Sequence, residues 1–355
     1  MNKLKNSTKK IFTKSFFVLF VLICFAGAFF HQDWFIRQYD KALGMYYVYK
    51  GDKAYKKMEL QQAIDYYNHG LQLYPGHYGA QFNLGNIYVV YEDYYSAAEA
   101  YEKAIDYNKK FTLARMNLGI VSAEKLGDFD GAIGQYKSII DSSKHLWFIP
   151  FVFSNTKSEK INRGIAYYNM GIAYREKSMY LNDKEDDAYQ FLLKSVDAYK
   201  HAANILKNDY DSLYNLALTY QLMGDYQNAG VNYCKAIELK PMDYEAHYNL
   251  AILLKHLKMY KESRMELEKA AMLVSNYKSN SNTSAYIFEM LNEVSKILIN
   301  NGEVNHFEEK VDDEPSLTTS VTYVHGKIVA TEALDKAILK NFKTCEQKDF
   351  FSKTN

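Results

Sequence analysis

The sequence predicts an all-α protein built as a solenoid of helix–turn–helix units. A small residue recurs at Gly51, Gly85, Gly119, Gly171, Ala217 and Ala251. Three of the intervals are 34 residues, and the other two are 34 plus insertions. A second signature follows, clearest in Ala229, Tyr233, Ala236 and Pro241 and repeated as Ala63, Tyr67, Gly70 and Pro75. Small residues at fixed offsets in a period of this length mark stacked helical pairs. Composition agrees: among 355 residues there are only 4 Pro and 17 Gly, which favours long helices over loops.

The first element is a hydrophobic helix. Residues 1–14 form a basic tail with Lys3, Lys5, Lys9, Lys10 and Lys14 and no acid. Phe16 to Phe30 then holds eleven Phe, Leu, Val or Ile residues, whose summed preference for a bilayer is on the order of 3–7 kcal/mol. Residues 15–36 are therefore expected to enter a membrane as a transmembrane signal anchor. Trp34 sits where an interface anchor would sit. The Ala26–Gly27–Ala28 stretch also has the form a signal peptidase accepts, so cleavage after Ala28 stays open. The resemblance of Val21–Cys24 to a lipoprotein box is loose. In each case the lysine-rich end stays in the cytoplasm and the repeats lie outside it, on the periplasmic or extracellular side.

The repeats come next, over 44–277. Repeat 5 (210–243) carries Leu216, Ala217, Tyr220, Gly224, Asp225, Tyr226, Ala229, Tyr233, Ala236 and Pro241. Repeat 2 (78–111) carries Leu84, Gly85, Tyr88, Tyr94, Ala97, Tyr101 and Ala104. These offsets resemble the tetratricopeptide repeat (TPR), with small residues at positions 8, 20 and 27, aromatics at 11 and 24, and Pro at 32. Repeat 1 (44–77) departs with Ala54, and repeat 6 (244–277) with Leu267 at position 24. Repeat 3 (112–143) has Ile139 at a small position, and an apolar insertion at 144–160 follows it. Repeat 4 (164–209) has Ser195 at position 20 and twelve extra residues in its hairpin. The resemblance implies about six stacked pairs in a right-handed superhelix, with small residues where helix backbones approach. Because a single pair cannot bury its apolar side, a closing helix is needed. Residues 284–300 fit, with Ile287, Phe288, Leu291, Val294, Ile297 and Leu298 on one side. The tail over 301–355 begins acidic and includes a β-prone stretch from Val321 to Ala330.

Charge and motifs narrow the function. Lys plus Arg is 43 against 42 acids, for a net charge of +1, so no basic surface points to nucleic acid. No phosphate-binding, dinucleotide-binding, zinc-protease, serine-hydrolase or calcium-loop motif occurs. No enzyme activity, cofactor or metal is expected. Cys24, Cys234 and Cys345 form no CxxC pair or recognisable framework, so all three are expected unpaired. His69, His77, His201, His247 and His256 are scattered and are expected as surface or packing residues.

A surface that holds polypeptide remains. Positions 2, 5, 6, 9, 12 and 13 of each first helix share one side by helical spacing, which in the TPR family lines the concave groove. Position 5 reads Val48, Phe82, Met116, Tyr168, Tyr214 and Tyr248. Position 6 reads Tyr49, then Asn83, Asn117, Asn169, Asn215 and Asn249. Each asparagine offers both a donor and an acceptor. The row resembles the asparagine ladder by which sugar-transferase members of the family hold extended chains. No Lys stands at position 5, which disfavours a clamp for a terminal carboxylate. The apolar loop containing Trp147, Phe148 and Phe151 is a second candidate interface, the alternatives being that it folds back to fill the irregular junction between repeats 3 and 4 or meets a membrane surface. The expected function is a non-enzymatic, membrane-tethered scaffold for protein or peptide partners. An exported soluble adaptor, or an accessory subunit of an envelope or surface-polymer assembly enzyme, are the alternatives.

Overall fold

The computed structural model describes residues 32–142, 157–181, 185–207, 209–276 and 281–302, the pairs 323–324 and 327–328, and residue 345. Residues 15–31 of the expected anchor and the loop with Trp147, Phe148 and Phe151 lie outside them. Among the described residues no helix is long and apolar enough to cross a membrane.

Thirteen helices are described: α1 (Gln32–Lys56), α2 (Leu60–Leu73), α3 (Tyr78–Val90), α4 (Tyr94–Tyr107), α5 (Thr112–Glu124), α6 (Phe129–Ser142), α7 (Lys157–Tyr180), α8 (Glu185–Leu206), α9 (Tyr210–Leu222), α10 (Tyr226–Leu239), α11 (Tyr244–His256), α12 (Tyr260–Asn276) and α13 (Ser281–Asn300). A short antiparallel pair, β1 (Tyr323–Val324) and β2 (Lys327–Ile328), follows. The chain divides into two compact units, one ending at Gly127 and one beginning at Asp128. The first holds the antiparallel pairs α1–α2 and α3–α4, with α5 packed on α4. The second holds α6 against α7, then the pairs α7–α8, α9–α10 and α11–α12, closed by α13.

Polar residues fix the helix starts. Asp93, Asp209, Asp225 and Asp243 each accept a backbone N–H of the first turn, from Ser96, Ser212, Asn228 and Glu245. His77 does the same for Ala80. Each cap removes an orphan donor, worth about 1 kcal/mol. The turns between paired helices carry a residue in the left-handed region: Met58, Glu92 and Lys258, and the glycine Gly224.

The small position 8 has a more specific cause than close backbones. A Cβ added at Gly51, Gly85 or Gly171 would lie 2.6, 2.5 or 2.8 Å from the ring of Tyr67, Tyr101 or Tyr199. The missing side chain makes room for the position-24 tyrosine of its own repeat, and these rings are buried. At position 27 of repeat 1, a Cβ on Gly70 would meet Gly44 and Val48 of the repeat's own first helix. Ser195 is no defect at its small position. Its buried hydroxyl donates to the Gly171 carbonyl at 2.8 Å, and Ser263 does the same to Ala251.

Helix α13 packs on α12 and begins about one turn before its apolar pattern. Its Ile287, Leu291, Val294 and Leu298 are buried against Leu267, Ala270 and Ala271 of α12. Each such burial contributes about 1.5–3 kcal/mol.

One expectation about single residues is overturned. Cys234 on α10 and Cys345 form a disulfide across 111 residues of sequence, and Cys345 packs on the core of that unit. No short-spacing motif announces such a bond. Of the scattered histidines, His247 of α11 is a packing residue with charged neighbours. It is fully buried, and its ring nitrogens meet two acceptors: the Glu266 carboxylate, 2.6 Å from Nδ1, and the Pro241 carbonyl, 3.0 Å from Nε2. Lys269 completes the buried group with an ion pair to Glu266 at 2.8 Å.

Candidate functional site

In the first unit the asparagines point back to the preceding pair. Nδ2 of Asn83 donates to Asp52 Oδ1 at 3.2 Å and to the Tyr67 hydroxyl at 3.1 Å, while Tyr67 donates to Asp52 at 2.8 Å. The same triangle recurs one period on. Asn117 donates to Asn86 Oδ1 at 3.1 Å and Tyr101 at 3.4 Å, and Tyr101 donates to Asn86 at 2.8 Å. Burial, then the hydrogen bond to Asp52, pushes the Tyr67 hydroxyl above the ordinary phenol range. Burial raises Tyr101 as well, so both stay protonated donors. Phe82 stacks its edge on this arrangement, with ring centres 5.7 Å from Tyr101 and 5.0 Å from Phe111. Val48 and Met116, the other position-5 residues of this unit, are buried and offer nothing to a ligand.

In the second unit the asparagines find a different partner. Asn249 Nδ2 donates to the Tyr214 hydroxyl at 2.6 Å, and Asn215 Nδ2 donates to Tyr168 at 3.2 Å. Those tyrosines stand at position 5 of the preceding repeat. Each packs on the position-24 ring of its own repeat, Tyr168 on Tyr199 at 5.8 Å and Tyr214 on Tyr233 at 6.1 Å. Burial raises the hydroxyls of both. Asn215 is committed further: it also donates to the Asp211 carbonyl at 2.9 Å, and its Oδ1 accepts from Arg175 at 2.8 Å. Asn169 and Tyr248 hold the equivalent half-buried places on α7 and α11.

The asparagine amide nitrogens therefore join successive repeats. Among the described residues, the amide oxygens of Asn83, Asn117 and Asn249 bond no other side chain or backbone group, and all three residues are half-buried. What this row can offer a ligand is a set of acceptors, not the donor–acceptor pairs read from residue type. Arg175, Asp52 and Asn86 were not anticipated as members of it. Position 9 carried the signal, being polar in repeats 1 and 2 (Asp52, Asn86) and apolar from repeat 3 on (Ile120, Ile172, Leu218, Ile252). No cluster of metal-binding side chains occurs among the described residues.

Residues 82–144 and 210–242 match the tetratricopeptide repeat family, so the chain carries this repeat. No curated protein matches the chain. Among solved structures it resembles PilW, described as a widely conserved type IV pilus biogenesis factor, at 13% identity and TM-score 0.49, over 72% of this chain and 98% of that one. It resembles TTC0263, a thermophilic TPR protein of Thermus thermophilus, at 16% and 0.43, over 62% and 99%. YrrB, described as a TPR protein with an unusual peptide-binding site, matches at 20% and 0.40, over 55% and 85%. At these identities the likeness is one of fold alone.

Proposed function

We propose that this chain is a non-enzymatic interaction scaffold whose first-helix faces hold extended polypeptide segments. One observation carries the reading: amide oxygens without a partner among the described residues recur at Asn83, Asn117 and Asn249. An extended backbone presents N–H donors at regular intervals, and such oxygens accept them as a neighbouring strand would. The aromatic residues Phe82, Tyr168, Tyr214 and Tyr248 supply apolar grip beside them.

The scaffold is tethered to a membrane and displayed outside the cytoplasm. Five lysines followed by the apolar stretch Phe16–Phe30 support the tether. The Cys234–Cys345 disulfide supports the placement, because such bonds persist in oxidising compartments and are rare in the cytosol. A soluble exported adaptor is the second reading, favoured by Ala26–Gly27–Ala28. The N-terminal sequence of the mature protein decides between them.

Two variants separate ligand contact from structure. Tyr214→Phe removes the internal bond to Asn249 but leaves the Asn249 oxygen in place, so it should lower stability and leave peptide capture unchanged. Asn249→Ala should lower both. Peptide binding by the full chain in detergent, followed by fluorescence anisotropy over a library of extended peptides, reads the difference. Equal loss of capture in the two variants would make Asn249 a structural residue only.

A further inference from the structure

Among the described residues helix α1 is packed on one side only. Gly44, Val48 and Gly51 are buried against α2, and added Cβ atoms on Gly44 and Gly51 would lie 2.8 Å from the Gly70 carbonyl and 2.6 Å from the Tyr67 ring. On the opposite side Phe35, Tyr39, Ala42, Tyr46 and Tyr49 follow one another at alternating steps of four and three residues. That is the spacing of a heptad seam, in which two positions per seven face a partner helix. Phe35 is 59% exposed, Tyr39 67%, Tyr46 51% and Tyr49 55%. Exposed Gln38 and Lys41 stand beside the seam, as do exposed Trp34, Ile36 and Met45.

Position within the fold explains why this surface is open. In α3 the position-6 residue, Asn83, bonds back to the preceding helical pair. In α1 the same position is Tyr49, and no described pair precedes it. The far end of the second unit is closed by α13, but among the described residues α1 has no such cap.

We propose that a second copy of the chain covers this seam, with α1 packed in parallel against α1. Parallel register sets Tyr39, Tyr46 and Tyr49 each beside its own counterpart. It also leaves Lys53, the next seam position, at the end where the two solenoids diverge. The area suffices: four aromatics of about 200 Å² each, somewhat over half exposed, give about 450 Å² per copy. With Ala42 and exposed Met45 the pair buries about 1,000 Å², the threshold for a specific contact. The proposal goes beyond the scaffold reading and does not depend on it.

The full chain in detergent tests this in a Cys24→Ser background, so that only the bonded Cys234 and Cys345 remain. Single substitutions Tyr39→Cys, Tyr46→Cys and Tyr49→Cys should each yield an oxidised dimer, whereas Lys41→Cys, exposed but off the seam, should yield several-fold less. Light scattering should give twice the chain mass, and Tyr39→Glu with Tyr46→Glu should halve it without changing the melting curve. Crosslinks confined to one position, equal crosslinking at position 41, or a monomer mass in the unsubstituted chain would each overturn the proposal. So would a monomer in lipid vesicles whose seam cysteines are shielded from a water-soluble maleimide, since the seam would then face lipid.

Discussion

In the first unit a repeat junction is a triangle of Asn, Tyr and an acid or amide, with Val48 or Phe82 at position 5 and Asp52 or Asn86 at position 9. In the second unit position 5 is tyrosine, position 9 is Ile172 or Leu218, and the asparagine reaches the position-5 hydroxyl instead. At these four junctions one side-chain oxygen at position 9 or position 5 receives the asparagine amide, whereas repeat 3, with Met116 and Ile120, supplies neither. When position 5 supplies it, position 9 can turn apolar. Tyr233 donates to Gln221 at 2.7 Å, but the Tyr199 hydroxyl is buried with no partner among the described residues. Its counterpart Tyr101 donates to Asn86. The cores differ too. Every buried charged side chain found among the described residues (His247, Glu266 and Lys269) belongs to the second unit.

The largest test of that difference is Glu266→Ala, which strands two basic side chains in the interior and should cost about 3–5 kcal/mol. Burial alone would raise the Glu266 carboxyl, but the hydrogen bond and charge of His247, joined by Lys269, hold it below its ordinary value. A depressed carboxyl stabilises fully above the unfolded value of about 4.3, and that contribution is lost as pH falls through the folded value. Hydrogen exchange followed by unit should therefore show the second unit loosening first on acidification. Equal loosening, or an unchanged acid profile in Glu266→Gln, would break the comparison.

Next in size is the disulfide. Cys345→Ser should lower the stability of the second unit by about 2–4 kcal/mol and leave the first unchanged, as read by thermal melting with and without reductant. The junctions themselves are sharpened by a pair of tyrosines. Tyr67→Phe removes a hydroxyl bonded to Asp52 and Asn83 and should cost about 1–3 kcal/mol. Tyr199→Phe deletes an unpartnered hydroxyl and should be neutral or slightly stabilising in chemical denaturation. A comparable loss at both sites would show that the second unit satisfies Tyr199 in another way. The smallest effect treats the units alike. Met58→Gly and Lys258→Gly, at φ 61° and 60°, should each gain about 0.5–1 kcal/mol, because glycine enters that region without a Cβ clash.

Much of the architecture was legible because it is periodic. The 34-residue step locates the helical pairs of repeats 1, 2, 5 and 6, and the apolar spacing of Ile287, Leu291, Val294 and Leu298 locates the closing helix. What periodicity hides is which neighbour a recurring offset meets. Position 8 looks like a contact between backbones, yet its small residue faces a ring sixteen residues on. Position 6 looks like a row of free amides, yet half of each amide is spent on the preceding repeat. The pairings farthest from any period, His247 with Glu266 and Cys234 with Cys345, leave no local pattern. They are set by side chains that meet only after the helices pack.

Synthesis runs from the N-terminus, so Cys234 emerges 111 residues ahead of the sulfur it will join. Repeat 5 must wait with a bare thiol until those 111 residues have arrived. A product cut short before Cys345 keeps a reactive sulfur, and one that reaches it loses that chemical handle in an oxidising surrounding.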